Sequence, residues 1–240
     1  MELHVVICKE DLDPDGMTGK VAVVLDVIFA TSTIVAAFYG GATGVRPALG
    51  REEAERFSQE RARDELVLIG EYNSITLPGF IDPLPLALLK HGVAGKEVIF
   101  ASTNGTVALR RASKATAVYA AALLNAEAVA EHLVTCHAAD QVILACAGSL
   151  GRFSFEDFFG AGAIVAQIVK RLGSRLTMTD AALAAHSAYR GSDALTGLRT
   201  SSLGQEMIDS GRGQDVDFAA RENSSRCIPV LRGNVLCRLP

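Results

Sequence analysis

No cluster of lysine and arginine occurs in this chain without interspersed acids, and the formal net charge is -4 with a pI of 5.8. That balance leaves no electrostatic footprint for DNA or RNA, so a nucleic-acid partner is excluded at the level of composition. Nor is there a CxxC pair. The cysteines (Cys8, Cys136, Cys146, Cys227, Cys237) are odd in number and scattered, which argues against a disulfide framework and a structural zinc site and for reduced thiols. The five histidines show no metal-ligand spacing either, although His132 and His137 lie close together. The opening MELHVVICKE has an early acid and only a short apolar stretch. It reads as neither a secretory signal nor a membrane span, so a cytoplasmic protein is expected. No linker, internal repeat or low-complexity tract interrupts the sequence, which is read as one domain spanning residues 1–240.

What is present is a core-forming composition: 49% hydrophobic residues, 21% charged residues and a mean hydropathy of +0.26. Short runs rich in Val and Ile recur, each followed by small polar residues and then an Ala-rich stretch of helical period. That alternation is the mark of an α/β sheet. Strands are predicted at 4–8, 21–26, 65–71, 97–102, 115–121 and 141–147. They are too continuously apolar for a one-sided sheet, so a three-layer α/β/α sandwich around a mostly parallel or mixed sheet is predicted. Helices are predicted at 31–42, 51–65, 125–135, 155–172 and 180–187, with another within 200–213. Residues 215–239 read as strand, turn and strand, with Pro229 near a sheet edge.

Ligands of open α/β sheets sit beyond the carboxyl ends of the strands, and four strand exits here are rich in polar residues. In VLDVIFATST, Asp26 can ligate Mg²⁺ or accept a phosphoryl group, and the hydroxyls of Thr31, Ser32 and Thr33 can hold phosphate oxygens; equally, these residues can simply cap a helix. In Ser102-Thr103-Asn104-Gly105-Thr106, Asn-Gly permits a left-handed turn and an anion cradle, or a plain strand-to-helix turn. Cys146 to Arg152 fits Cys-x5-Arg, the loop in which thiolate and guanidinium embrace one phosphate. Ala145 stands where such enzymes usually have His, and a buried structural Cys146 is the alternative. Arg152 serves phosphate or sulfonate without any nucleophilic cysteine. In Ser154-Phe155-Glu156-Asp157, Ser154 and Asp157 fit a capping box, which leaves Glu156 for a metal. Glu71, closing the strand ELVLIGE, and Asp82, in the loop PGFIDPLP, are further acids able to complete a metal site or equally to stand as solvated loop charges.

Taken in order, LDVIFATSTIVAA, GEYNSITLPGF, STNGTVAL, LLNAEAVA, CAGSLGRFSFEDFFGAGAIV and DVDFAA with its following IPV resemble the 2-phosphosulfolactate phosphatase (ComB) family, spanning nearly the whole chain. The resemblance implies a Mg²⁺-dependent phosphomonoesterase of coenzyme M biosynthesis that releases phosphate from 2-phosphosulfolactate to give 3-sulfolactate. Asp26, Arg152 and Glu156 are then the expected catalytic residues. Thr31, Ser32, Thr33, Thr103, Asn104, Gly105, Gly148 and Ser154 are the expected substrate contacts, and Asp26, Glu71, Glu156 and Asp157 the metal ligands. A small anionic phosphomonoester is the expected partner, without nucleic acid or membrane; a homo-oligomer is left open.

Two departures from the family pattern stand out. Phe29 occupies the place of an Arg, and GFIDPLPLA (79–87) lacks the Gly, Asn and Ser of the corresponding loop. Arg46, Arg152 and Arg190 are the guanidinium groups in these loops able to meet a second anion. Besides the metal-assisted reading, with attack by Asp26 or by water, two others stay open: a metal-independent Cys146 phosphatase, and a phosphate- or sulfonate-binding protein without turnover.

Overall fold

The computed structural model describes residues 1–239. Its strands are β1 Glu2–Val6, β2 Val21–Leu25, β3 Gly44–Ala48, β4 Leu66–Tyr72, β5 Ile75–Thr76, β6 Glu97–Ala101, β7 Ala117–Ala121, β8 Gln141–Cys146, β9 Thr177–Met178, β10 Pro229–Arg232 and β11 Val235–Arg238. The helices are α1 Ala30–Tyr39, α2 Arg51–Ser58, α3 Pro85–His91, α4 Gly105–Arg111, α5 Ala126–Cys136, α6 Phe155–Leu172, α7 Asp180–Arg190, α8 Ala194–Thr200, α9 Ser202–Asp209 and α10 Gly213–Ala219. All five residues of β2 and of β6 are buried, as strands covered on both faces require. None of these helices is long and apolar enough to cross a membrane.

The strands form one mixed, mostly parallel sheet in the order β5-β4-β6-β3-β11-β10-β7-β2-β8-β1-β9. Two parallel blocks compose it: β4-β6-β3 and β7-β2-β8-β1-β9. The β10–β11 hairpin joins them, pairing antiparallel with β7 through Val230 and Tyr119 and with β3 through Leu236 and Val45. By this pairing the two blocks run in opposite senses, so in a flat sheet the exits of β2 and β6 would lie at opposite edges. They meet instead: Gly105, just after β6, lies against Asp26, just after β2. The sheet therefore turns over on itself at the seam, where one residue pair on each side imposes little register.

Helices cover both faces, in keeping with a three-layer α/β/α sandwich. One core packs Val23, Leu25, Leu144 and Cys146 against α5, α6 and α7, with Phe159, Ile164 and Ile168 of α6 at its centre. The alternate residues Val24, Ala120 and Ala145 share a second core with Ile69, Val98 and Phe100 of the other block, and with Ile34 of α1 and Leu109 of α4. Both α1 and α4 thus pack against strands of both blocks, which brings their N-termini together.

Three expectations are corrected. The helix from Arg51 ends at Ser58 rather than 65, because Phe57 is its last apolar anchor and residues 59–65 are all exposed. Residues 213–219 are helical, not a strand: Val216 and Ala219 fall on one buried helical face. Pro229 is not at an edge. It opens β10 in the middle of the sheet, a first-residue position at which its missing N–H is tolerated.

Candidate active site

The exits of β2, β4, β6 and β8 converge on a cavity of about 200 Å³. Asp26, Phe29, Glu71, Asn73, Ser74, Thr103, Asn104, Gly148, Ser149, Leu150, Ser154, Glu156, Asp157, Leu203 and Glu206 line it. Three helices, α1, α4 and α6, begin at this cavity or beside it, and their unpaired N–H groups give it positive potential.

Asp26 sits where α1 and α4 start. Thr31 fixes its backbone, accepting from the Asp26 N–H at 3.1 Å and donating to the Asp26 carbonyl at 2.9 Å. Burial pushes the Asp26 carboxyl up to about 7; the charges of Glu71 and Glu156 act in the same direction, and the N–H groups of Ala30 and Gly105 oppose them. Gly105 is required by space rather than by a left-handed turn: a Cβ there would lie 2.4 Å from the Ala30 Cβ and 2.6 Å from Asp26 Oδ2. Gly148 is the left-handed position, at φ +68°.

The start of α6 supplies two further buried acids. Ser154 is the N-cap residue but makes no side-chain cap, so the expected capping box is not formed. Asp157 is turned instead to two loops, accepting from the Val27 N–H at 2.8 Å and the Gly148 N–H at 3.1 Å. It locks the β2 and β8 exits together. Burial and then the neighbouring Asp26 and Glu156 charges raise its carboxyl well above the usual range. Glu156 is different: only 3% exposed, its side chain has no hydrogen bond or ion pair to any described residue, yet it lines the cavity.

Glu71 joins β4 to the β6 exit. Its Oε1 accepts from the Thr103 N–H at 2.6 Å, and its Oε2 accepts from the Thr103 hydroxyl at 2.9 Å and the Ser74 N–H at 2.8 Å. The Asn73–Ser74 turn between β4 and β5 has positive φ at both residues, the two-residue hairpin geometry. Asn104 accepts through Oδ1 from the buried Lys9 ammonium at 2.8 Å, which also pairs with Glu10.

Sequence reasoning thus finds Asp26, Glu71, Thr103, Asn104, Gly105, Gly148, Ser154, Glu156 and Asp157 at or beside one cavity. It is corrected on others. Thr31, Ser32 and Thr33 are buried with their hydroxyls donated to backbone carbonyls, Ser32 to Val27 and Thr33 to Phe29 and Pro83 at 2.8 Å each, so they brace the 26–29 loop and do not face a ligand. The Cys146 thiol is completely buried, and burial pushes its pKa well up, with Asp157 next in effect. It has neither the access nor the ionisation of a nucleophile. Arg152 is exposed on the loop after β8, outside the cavity lining. Arg46 is held between Glu97 at 2.7 Å and Glu60 at 2.5 Å, stacked over Phe57, and Arg190 ends α7 on the surface. Asn73, Ser74, Leu203, Glu206 and the Lys9 contact were missed. Asn73-Ser74 is a readable turn signal; Lys9, Leu203 and Glu206 arrive through tertiary contacts alone.

Among the described residues, no three Asp, Glu, His or Cys side chains form a ready-made metal cage. The donor set nevertheless fits Mg²⁺, which usually takes one or two carboxylates and completes its octahedron with water and phosphate oxygens. Asp157 and Glu71 have both oxygens engaged by N–H or O–H donors. Glu156, buried and unpartnered, and Asp26 beside it are the carboxylates that would receive the ion.

A cavity at the exits of parallel strands, ringed by helix N-termini and crowded carboxylates, defines an enzyme of the α/β class. Residues 6–234 match the family described as 2-phosphosulpholactate phosphatase. A protein of Clostridium beijerinckii is 30% identical over 240 residues, covering 99% of this chain and 100% of its own length. One of Symbiobacterium thermophilum is 36% identical over 219 residues (90% of this chain, 93% of its own), and one of Thermotoga maritima is 35% identical over 222 (90% and 91%). All three are named probable 2-phosphosulfolactate phosphatase. The chain belongs to the 2-phosphosulfolactate phosphatase family, a family of phosphoric monoester hydrolases.

Proposed function

We propose that this chain is a Mg²⁺-dependent phosphomonoesterase that converts 2-phosphosulfolactate to 3-sulfolactate and inorganic phosphate. The substrate and product follow the names of the relatives. The observation that carries the metal is the buried Glu156 carboxylate with no protein partner, next to Asp26 in a cavity with five acids in its lining. Its oxygens open onto the cavity, and a phosphate dianion entering among such groups needs a cation between them.

When bound, Mg²⁺ neutralises charge on the phosphoryl oxygens. Asp26 and Glu156 would hold it, while the first N–H groups of α6 and the Asn104 amide present donors to the transferring group. Asp26 is the group placed to attack phosphorus or to take a proton from the attacking water. Asp157 and Glu71 act indirectly, by fixing the Gly148 and Thr103 loops.

The test is phosphate release from 2-phosphosulfolactate in Mg²⁺ and in EDTA. Release in Mg²⁺ alone, abolished by Asp26→Asn and by Glu156→Gln, is expected. Undiminished release in EDTA would remove the metal, and full activity of Asp26→Asn would remove the assignment of that residue. Binding of the ester without turnover in either condition would make the chain a non-catalytic anion-binding member of its family.

A further inference from the structure

Lys9 has no part in the mechanism above, yet it is built into the site. No Lys or Arg lines the cavity, whose acids are Asp26, Glu71, Glu156, Asp157 and Glu206. Among the described residues, Lys9 carries the one Lys or Arg side chain hydrogen-bonded to a lining residue: its ammonium donates to Asn104 Oδ1 at 2.8 Å. A lysine only 6% exposed needs partners, and this one is held from two further directions. Its backbone N–H donates to the Ala147 carbonyl at 3.2 Å, just past β8. Glu10 Oε1 pairs with the ammonium at 2.8 Å, and Glu10 Oε2 in turn accepts from the Cys8 thiol at 2.6 Å. The loop after β1 thus joins the site as a fifth strand exit, and through Lys9 it reaches across to the loop after β6 in the other strand block.

An ammonium can only donate, so of a side-chain amide only the oxygen can face it. The Leu150 N–H approaches the same Asn104 oxygen at 3.5 Å. Asn104 Nδ2 has no hydrogen-bond partner among the described residues and is not sealed off, which leaves it to the cavity that Asn104 lines. Turned over, the same amide would offer an entering phosphate a carbonyl oxygen in a wall that already holds five acids. A charged partner also polarises the amide, so its N–H groups donate more strongly. Resting on the phosphomonoesterase reading above, we propose that Lys9 is a positioning residue for the reaction: it locks the Asn104 amide with its NH2 group toward the phosphoryl oxygens, and it brings positive charge to a site of acids without touching the substrate.

The test is a double-mutant cycle on phosphate release from 2-phosphosulfolactate in excess Mg²⁺, with inhibition by inorganic phosphate measured alongside. Its members are the unaltered chain, Lys9→Met, Asn104→Ala and the double variant, each first shown to be folded by urea denaturation. Lys9→Met is expected to lower kcat/KM by about tenfold or more, short of the roughly hundredfold loss set by removing such a donor altogether in Asn104→Ala, and to weaken phosphate inhibition in step. In the Asn104→Ala background the same change should move neither quantity by more than about twofold, because the amide through which Lys9 acts is gone. Equal losses in both backgrounds are the result of a merely structural lysine. They, or full activity or unmoved phosphate inhibition in Lys9→Met, would overturn the proposal and leave the phosphomonoesterase reading standing. Absence of release by the unaltered chain would instead overturn that reading, and this proposal with it. Lys9→Gln repeats the cycle should Lys9→Met fail to fold.

Discussion

Replacing Asp26 by Asn should stabilise the metal-free protein at alkaline pH, although it removes the central acid of the site. In the fold the Asp26 carboxyl is pushed up to about 7, against 3.8 for an ordinary aspartate. The folded chain therefore holds a proton that the unfolded chain releases between those values. Since the folded state binds more protons there, stability falls as pH rises from about 4 to about 7 and is level above. At 1.36 kcal/mol per pH unit, the whole interval corresponds to about 4 kcal/mol, and the part between pH 5 and pH 8 to about 3 kcal/mol. Asp26→Asn is neutral throughout and escapes this loss. Its amide keeps an oxygen for one of the Ala30 and Gly105 N–H groups and loses the other hydrogen bond, a fixed cost of about 1 kcal/mol that does not vary with pH. Urea denaturation in EDTA at pH 5 and pH 8 reads the difference directly: the variant should gain on the unaltered chain by about 3 kcal/mol between the two conditions. Parallel pH curves for the two proteins would refute the reasoning. With Mg²⁺ the gap should close, because saturation at a hundredfold excess over Kd stabilises the unaltered chain alone by about 2.7 kcal/mol, close to the whole advantage of the variant.

Three further outcomes follow from the contacts described. Gly105→Ala forces a methyl against Asp26 Oδ2 and the Ala30 Cβ, so it should cost about 1–3 kcal/mol in urea denaturation and depress phosphate release; unaltered values of both would show that the α1–α4 junction yields freely. Cys146→Ala should keep activity within about twofold while losing about 1 kcal/mol of stability from the deleted buried sulfur, and a thousandfold loss of kcat would restore the cysteine mechanism. Glu71→Gln loses acceptor capacity toward Thr103 and Ser74, so amide exchange in the Asn73–Ser74 turn and at Thr103 should speed by about tenfold or more, with unchanged exchange counting against the clamp.

The two-sided strands were legible because continuous runs such as VAVVL and EVIFA can be buried only between layers, and the boundaries of α6 were read to the residue from its apolar stripe and flanking Ser154 and Gly173. β3 was not legible. Its sequence GVRPA places a charge and a proline inside a buried strand, and only the partners Glu97 and Glu60 make Arg46 tolerable there. The acids of the site were found from their places at strand exits, but their division of labour was not. Asp157 read as a cap partner and is a clamp on two loops; Thr31 to Thr33 read as ligands and are braces. Such differences depend on which way a side chain turns, and that is decided by neighbours distant along the chain, more than a hundred positions away in the case of Asp157 and Val27.

The seam between the two strand blocks has a consequence for the order in which this molecule can become active. Asp26, Gly148 and Glu156 come from one block, Glu71 and Thr103 from the other, and the hairpin Pro229–Arg238 that ties the blocks follows all of them along the chain. The β4-β6-β3 half can gather its strands through short crossovers, whereas β1 and β2 wait for β7 and β8, which follow the whole of that half along the chain. The cavity, however, exists only once the last element has been threaded between them, so a partly synthesised chain carries every one of these acids and no place for a substrate.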